Sequence, residues 1–199
     1  MGAPAFPDGR DTQDKPGIDL CNFPAILSLM SIAPSRTIRL LVVALILIST
    51  AGCDQMTKHL ARKQLNSVES TPLAGGLVEF VLAENPGAFL SLGASLPEGL
   101  RGGLFTAGIS LGLVALLIYL LRVEAIPWSS FFWLVLIWAG GMSNLVDRFF
   151  RHGLVTDFMI IRIGPLHTGV FNVADLAIVT GTIFLLLSLR GRPTKSVAP

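Results

Sequence analysis

Two aspartates stand where an apolar sequence has little reason to place them. Asp175 comes in the first turn of a long apolar segment, and Asp157 lies in a preceding loop, where by itself it would be unremarkable. An ionisable side chain at membrane depth is costly and is therefore a functional candidate. Two carboxylates held close together cannot both ionise, so one keeps its proton. Such a pair can draw a proton from water and donate another to a carbonyl oxygen, the pattern of aspartic proteases.

The acidic residues also have ordinary structural interpretations. Asp175 could simply be a favourable charge near a helix N-terminus. Asp147 directly precedes Arg148, which favours a structural ion pair between them. Asp54 and Lys58 are one helical turn apart, which predicts an i,i+4 pair. These alternatives leave the two roles, chemical and structural, open for each residue.

Other kinds of catalytic site are not indicated. The histidines do not have metal-ligand spacing, and the sequence contains neither an HExxH motif nor a cysteine-based site. The serines lack the residues of a nucleophile elbow. We therefore expect neither a metal nor a cofactor.

Residues 50–53 resemble the lipobox of a lipoprotein, with Cys53 after Thr50, Ala51 and Gly52. Three features argue against that interpretation. A lipobox usually has Leu three residues before the Cys, the signal peptide would be 52 residues long, and three more apolar segments follow. We expect Cys53 to be a small buried residue in a helix.

Four apolar segments must position the polar residues. Hydrophobic residues make up 52% of the 199 residues and charged ones 14%, against about 25% charged in soluble domains, and the mean hydropathy is +0.67. These values exclude a disordered chain, a coiled coil and a nucleic-acid binder, and they indicate an integral membrane protein. Because lipid leaves helices as the reasonable choice, we predict transmembrane helices at 38–58, 104–121, 128–146 and 171–189. Arg39 is expected to snorkel at the end of the first.

With four spans, both termini lie on one side of the membrane. The opposite side receives nearly every conspicuous polar residue: Asp54, Lys58, Asn85, Asn144, Asp147, Arg148, Asp157, Asn172 and Asp175. A purely structural bundle would have little reason for this concentration. Lys and Arg number eight on the terminal side and seven on the other, so the positive-inside rule leaves the orientation open.

Two loops on the polar side carry strand-like sequences. Residues 77–82 follow a Gly-Gly turn at 75–76, and residues 158–163 precede a Gly-Pro turn at 164–165. They predict a small β-sheet, built from the loops after the first and third helices, lying on the membrane face.

Five motifs resemble those of the lipoprotein signal peptidase (signal peptidase II) family. In chain order they are DQMTK at 54–58, NPGAF at 85–89, GGMSNLVDR at 140–148, GLVTDF at 153–158 and FNVAD at 171–175. Their order and their positions on the four spans agree with the family, and the resemblance covers about residues 36–190.

The resemblance implies an aspartyl endopeptidase of the bacterial inner membrane that cleaves diacylglyceryl-modified prolipoproteins just before the lipidated Cys. It implies an active site and a sheet facing the periplasm, both termini in the cytoplasm, membrane lipids as partners and inhibition by globomycin, with no nucleic acid involved. Asp157 and Asp175 correspond to the catalytic pair. The residues that correspond to the substrate site are Asn85, Gly87, Asn144, Arg148 and Asn172. Asp54, Lys58 and Asp147 correspond to supporting residues.

Two positions depart from the family pattern. Ser143 stands where the family usually has Gly, which adds a side chain at a close-packed point, and Phe89 follows directly after one Ala, which moves the aromatic residue by one position. These departures could mark a divergent paralogue with altered substrate preference.

The sequence predicts three regions: a disordered cytoplasmic extension at 1–35, a transmembrane peptidase domain at 36–190 and a cytoplasmic tail at 191–199. A chain beginning at Met30 is expected to insert and cleave like the full chain.

Two alternative functions belong to other classes of protein. A small transporter would need polar groups near the middle of the bilayer, and a non-catalytic paralogue would be expected to have lost one aspartate.

Overall fold

The computed structural model describes residues 35–87, 97, 100 and 103–190. Four helices dominate it: α1 (Arg36–Gln64), α2 (Gly108–Arg122), α3 (Trp128–Phe150) and α4 (Val173–Arg190). Four strands lie between them: β1 (Thr71–Leu73), β2 (Val78–Asn85), β3 (Val155–Ile163) and β4 (Leu166–His167). Residues 1–34 of the predicted extension at 1–35, the predicted tail at 191–199 and the shifted Phe89 lie outside the described residues, so the division into domains stays a prediction.

All four helices begin within four residues of the predicted positions and end later than predicted, α1 and α3 by six and four residues and α2 and α4 by one residue each. α1 and α3 are long and apolar enough to cross a membrane, whereas α2 and α4 are shorter apolar helices. α2 begins at Gly108, after a π-helical turn at Gly103–Ala107. The apolar side chains of α1 are widely exposed, as at Leu41 and Ile48, which suits contact with lipid rather than water. Cys53 lies in α1 as expected, but it is exposed and not buried.

The third helix forms the centre of the bundle, since it packs against each of the other three. Phe131, Val135, Trp138 and Ala139 of α3 are almost completely buried in the core. The contact between α3 and α4 depends on glycine. A Cβ at Gly140 of α3 would lie 2.6 Å from the Ala174 carbonyl oxygen, too near for any other residue without a shift. Small residues of this kind allow membrane helices to approach closely.

Arg39 does not snorkel as predicted. It is 1% exposed and donates hydrogen bonds to the carbonyl oxygens of Leu120, Val123 and Glu124, at 3.1, 2.7 and 2.7 Å. Its guanidinium also lies 5.1 Å from the centre of the Phe131 ring. The last carbonyls of a helix have no intrahelical partner, so the end of α2 offers Arg39 acceptors that compete with the membrane surface.

The strands form one antiparallel sheet in the order β1-β2-β3-β4, which agrees with the predicted small sheet. β2 and β3 are the long central pair, and both run further than the predicted apolar stretches. The register places Asn85 opposite Val155 and Ala83 opposite Asp157, with an irregularity between Phe80 and Ala83. The sheet therefore carries two of the predicted site residues in its strands.

Candidate active site

The two predicted catalytic aspartates line the same cavity, although they come from different elements. Asp157 lies in β3, and not in a loop as predicted, and is 2% exposed. Asp175 lies in the first turn of α4 and is 9% exposed. The cavity has a volume of about 150 Å³. Its other lining residues include Asn85, Asn144 and Arg148, so three of the five predicted substrate-site residues face the same space.

Asp157 is held by two side-chain amides. Asn85 donates to Oδ2 at 2.9 Å, and Asn172 donates to Oδ1 at 2.6 Å. Burial raises the pKa of Asp157 from 3.8 to about 6; the hydrogen bond from Asn85 opposes this rise, and the charge of Asp175 adds to it. A carboxyl group whose pKa is raised towards neutral is suited to acid–base catalysis.

Asp175 belongs to a reciprocal cap at the beginning of α4. Asn172, the residue before the helix, accepts a hydrogen bond from the Asp175 backbone N–H at 2.9 Å, and the Asp175 carboxylate accepts one from the Asn172 backbone N–H at 3.2 Å. This is the arrangement of a capping box. Asn144 of α3 donates to the other carboxylate oxygen at 2.9 Å. The structural interpretation of Asp175 is therefore correct, and it is compatible with a chemical role.

The Asn172 amide connects the two aspartates. Its Nδ2 donates to Asp157 at 2.6 Å and to the Asn144 side-chain oxygen at 3.1 Å, while its Oδ1 accepts from Asp175 as described. A single buried side chain thus contacts the Asp157 carboxyl group, the backbone N–H of Asp175 and a second amide that binds the Asp175 carboxylate. Asn172 is completely buried, so this geometry is protected from competition by water.

Arg148 lines the cavity, and its guanidinium binds Gly87. Arg148 Nη2 donates to the Gly87 carbonyl oxygen at 2.6 Å, and Nη1 donates to the Asn144 carbonyl oxygen at 3.2 Å. The Gly87 N–H in turn donates to Asn85 Oδ1 at 3.0 Å. Arg148 therefore holds the segment after β2 against α3, and this segment orients the Asn85 amide that binds Asp157.

The three supporting residues form a buried ionic cluster. Lys58 Nζ lies 2.7 Å from Asp54 and 3.1 Å from Asp147, and all three side chains are at most 2% exposed. The predicted Asp54–Lys58 pair is confirmed. The predicted Asp147–Arg148 pair is wrong, because Asp147 pairs with Lys58. Consecutive helical residues point about 100° apart, so adjacency in sequence does not bring these side chains together.

Three contributors to the cluster were not predicted. Gln55 donates to Asp147 at 3.1 Å and to the Ser143 hydroxyl at 3.2 Å, and Ser143 donates to Asp54 at 2.7 Å. The Thr156 N–H donates to Asp147 at 3.0 Å. Gln55, Ser143 and Thr156 all occur inside the recognised motifs, which was the available signal. Ser143, the departure from the family pattern, is accommodated here by hydrogen bonds to α1.

Within the described ranges, no group of three or more His, Cys, Asp or Glu side chains is arranged to hold a metal ion. The expected independence from metal stays a prediction.

An apolar helical bundle that buries two aspartates in one cavity defines a membrane protein with the site of an acid–base hydrolase. The sequence model of the family Signal peptidase (SPase) II matches residues 42–190, and the chain belongs to this family of proteases.

Known relatives agree with this assignment. A lipoprotein signal peptidase of Syntrophus aciditrophicus is 35% identical over 136 residues, which cover 68% of this chain and 84% of that protein. A lipoprotein signal peptidase of Leifsonia xyli subsp. xyli is 35% identical over 170 residues, or 80% of this chain and 74% of that protein. One from Mycobacterium avium is 34% identical over 162 residues, or 77% of this chain and 80% of that protein.

Two solved structures of bacterial membrane enzymes share the fold. One has a TM-score of 0.64 at 20% identity and covers 82% of this chain and 95% of its own. The other has a TM-score of 0.65 at 21% identity and covers 79% and 95%. They support the mostly helical membrane fold with its small antiparallel sheet.

Proposed function

We propose that the protein is an aspartic endopeptidase that removes signal peptides from diacylglyceryl-modified prolipoproteins, by cleaving just before the lipidated Cys. The observation that carries the proposal is the shared environment of Asp157 and Asp175. Both are buried at the same cavity, and the Asn172 side chain contacts both residues. The relatives named above are lipoprotein signal peptidases, which supports the substrate class.

The reaction needs one protonated and one ionised carboxyl group, and the pair as a whole carries that single proton. The ionised aspartate takes a proton from water, whose oxygen attacks the scissile carbonyl carbon. The protonated aspartate donates its proton to the carbonyl oxygen. When the tetrahedral gem-diol intermediate collapses, one of its hydroxyl groups returns its proton to the aspartate that had donated one to the carbonyl oxygen. The C–N bond breaks as the other aspartate gives the proton it took from water to the nitrogen, and the new carboxyl group leaves with the signal peptide. The pair is left with one proton.

The neighbouring residues divide into two proposed roles. Asn85, Asn144 and Asn172 orient the carboxyl groups through the hydrogen bonds already described. Arg148, which lines the cavity, and Gly87, which is hydrogen-bonded to it, are proposed to receive the substrate backbone, because a guanidinium presents several donors to carbonyl oxygens. Both aspartates are retained with their amide donors, which argues against a non-catalytic paralogue.

We further propose that all four helices cross the bacterial inner membrane, with the cavity and the sheet on the periplasmic side and both termini in the cytoplasm. The ends of α1 and α3 and the beginning of α4 bring their polar residues to the same end of the bundle. This supports an arrangement in which these residues lie at one surface of the membrane. Membrane lipids are the expected surroundings of the exposed apolar side chains.

Cysteine labelling tests this orientation. In a cysteine-free background, Glu69→Cys should react with an impermeant maleimide in spheroplasts. Glu124→Cys should react only after lysis; the reverse pattern would contradict this orientation.

Cleavage by purified protein tests the function directly. The full chain in detergent should cut a diacylglyceryl-modified prolipoprotein before its lipidated Cys, as read by mass spectrometry. Asp157→Asn and Asp175→Asn should each abolish cleavage while the protein remains folded, because an amide cannot act as a base. Glu69→Gln, an exposed acid outside the cavity, is the matched control and should retain full activity. Near-native turnover in either aspartate variant would overturn the catalytic assignment.

A further inference from the structure

The ionic cluster Asp54–Lys58–Asp147 uses every hydrogen-bonding group that Lys58 has. Its ammonium reaches Asp54 at 2.7 Å, Asp147 at 3.1 Å and the side-chain oxygen of Asn144 at 2.9 Å. An ammonium has three N–H donors, so all three are engaged. Lys58 is completely buried, and a buried charge that loses one of its partners is left uncompensated, which strongly destabilises a protein.

Each carboxylate of the cluster also holds the backbone beside one catalytic aspartate. Asp54 accepts a hydrogen bond from the Ala174 N–H at 2.9 Å, and Ala174 immediately precedes Asp175. Asp147 accepts one from the Thr156 N–H at 3.0 Å, and Thr156 immediately precedes Asp157. Two elements that are distant in sequence, β3 and α4, are thus anchored to one charged group.

Lys58 also determines which way the Asn144 amide points. Asn144 Oδ1 accepts from Lys58 and from Asn172, at 2.9 and 3.1 Å, and its Nδ2 donates to Asp175 at 2.9 Å. If the amide were reversed, an NH₂ group would face the ammonium and an oxygen would face the carboxylate. Both contacts would be repulsive. The charge on Lys58 therefore keeps a donor directed at Asp175.

We propose that Lys58 is a positioning residue for the reaction, acting through Asn144 on Asp175 and through the two carboxylates on the backbone beside each catalytic aspartate. This inference rests on the proposed function. On this proposal α1 contributes no catalytic residue, but it sets the relative geometry of β3 and α4. Because Lys58 is buried behind Asn144, it acts on the rate of the chemical step and not on substrate affinity.

The test compares two lysines of one helix. Lys58→Met removes the ammonium, whereas Lys63→Met makes the same change at an exposed position of α1. We expect Lys58→Met to lower kcat by about tenfold or more, since small misplacements of reacting groups are costly, with KM within about twofold of wild type. Lys63→Met should leave both constants unchanged. An unchanged kcat in Lys58→Met, or a loss confined to KM, would overturn the proposal.

A double-variant cycle separates positioning from a general loss of stability. If Lys58 acts through Asn144, adding Lys58→Met to Asn144→Ala should lower kcat by much less than Lys58→Met does in the wild-type chain. If the fold-changes in kcat caused by Lys58→Met and Asn144→Ala simply multiply in the double variant, the two residues act independently, which would contradict a route from Lys58 through Asn144. Should Lys58→Met fail to accumulate, Lys58→Gln, which keeps one donor for a carboxylate, carries the same comparison with the same two outcomes.

A spectroscopic readout keeps this proposal separate from the proposed function. The chain has five asparagines, so labelling with ¹⁵N-asparagine gives few side-chain amide signals, and Asn144→Ala and Asn172→Ala identify the two of interest. Lys58→Met should shift the Asn144 and Asn172 signals, and Lys63→Met should shift neither. If the wild-type chain cleaves no prolipoprotein but these signals shift, the function fails while the positioning stands. If the signals do not move, the positioning fails whatever the activity.

Discussion

Replacing Gly140 by Ala tests whether the close contact of α3 and α4 sets the geometry of the active site. A Cβ at residue 140 would lie 2.6 Å from the Ala174 carbonyl oxygen and 2.9 Å from Ile178 Cγ1, whereas ordinary contact begins at 3.4 Å. The backbone oxygen cannot rotate away as a side chain would. The beginning of α4 must therefore move by roughly 0.8 Å to reach that distance, and Ala174 is the residue before Asp175.

The displacement should affect both stability and turnover. Overpacking of a tight contact destabilises by about 1–3 kcal/mol. A shift approaching 1 Å at a catalytic group can lower a rate by about a hundredfold, so we expect Gly140→Ala to reduce kcat between about tenfold and a hundredfold. The assays are thermal unfolding in detergent and prolipoprotein cleavage at a temperature where the variant is folded.

Two further glycines provide the controls. A Cβ at Gly181 of α4 would lie 2.9 Å from the Trp133 carbonyl oxygen, a similar clash away from the beginning of the helix, while one at Gly52 of α1 meets nothing within 4 Å. Gly181→Ala should therefore lose stability with a smaller loss of kcat. Gly52→Ala should gain about 0.5–1 kcal/mol, because glycine is unfavourable inside a helix. A Gly140→Ala protein with wild-type stability and with kcat within about twofold would refute the reasoning.

Four other expectations can be measured with the same protein. Arg148→Ala should lower kcat/KM by roughly tenfold through lost hydrogen bonds to the substrate, whereas Arg151→Ala should not; unchanged constants would reduce Arg148 to a structural role. Arg39→Met should lower the free energy of unfolding by about 2–4 kcal/mol, since three carbonyl oxygens lose a charged donor, and the exposed Arg36→Met is its control; equal stabilities would contradict this account. The raised pKa of Asp157, from 3.8 to about 6, means that the folded protein binds the proton more tightly, so this group's contribution to stability is greatest below about pH 4 and falls by about 3 kcal/mol as the pH rises through 6. Asp157→Asn should therefore gain stability relative to wild type between pH 4 and pH 8, and a constant difference in unfolding free energy would refute the burial argument. EDTA should leave cleavage intact and globomycin should block it; activity lost on chelation and restored by zinc would exclude the aspartic mechanism.

The helices were largely predictable, because their apolar runs are long and lipid demands internally bonded backbone. The prediction placed the beginning of α3 correctly at Trp128 and ended it at residue 146, while the helix continues to Phe150. α1 likewise continues to Gln64. Hydropathy ended both helices too early, because their last turns carry polar side chains. Arg62 and Asp147 are examples, and each binds a side chain of another element.

The strands show the same limit. The apolar runs at 77–82 and 158–163 were recognised, but β2 continues to Asn85 and β3 begins at Val155. Backbone pairing does not depend on side-chain polarity. The strand pairing therefore includes Asn85 and Asp157, although Asn and Asp are uncommon in strands. As a result, Asp157, which we propose as catalytic and which the sequence placed in a loop, lies in the sheet.

The sequence by itself determined the membrane character and the family, and it singled out the two aspartates that we propose as catalytic, since these depend on composition and on motifs that are local and ordered along the chain. Only the tertiary structure decided the partners of the charged residues. Asp147 pairs with Lys58 rather than with its neighbour Arg148, and Arg39 binds the end of α2 rather than the membrane surface. A buried charge is stabilised by whichever oppositely charged or polar groups the packing of helices brings within about 3 Å, and that proximity arises between residues 80 or more positions apart in sequence.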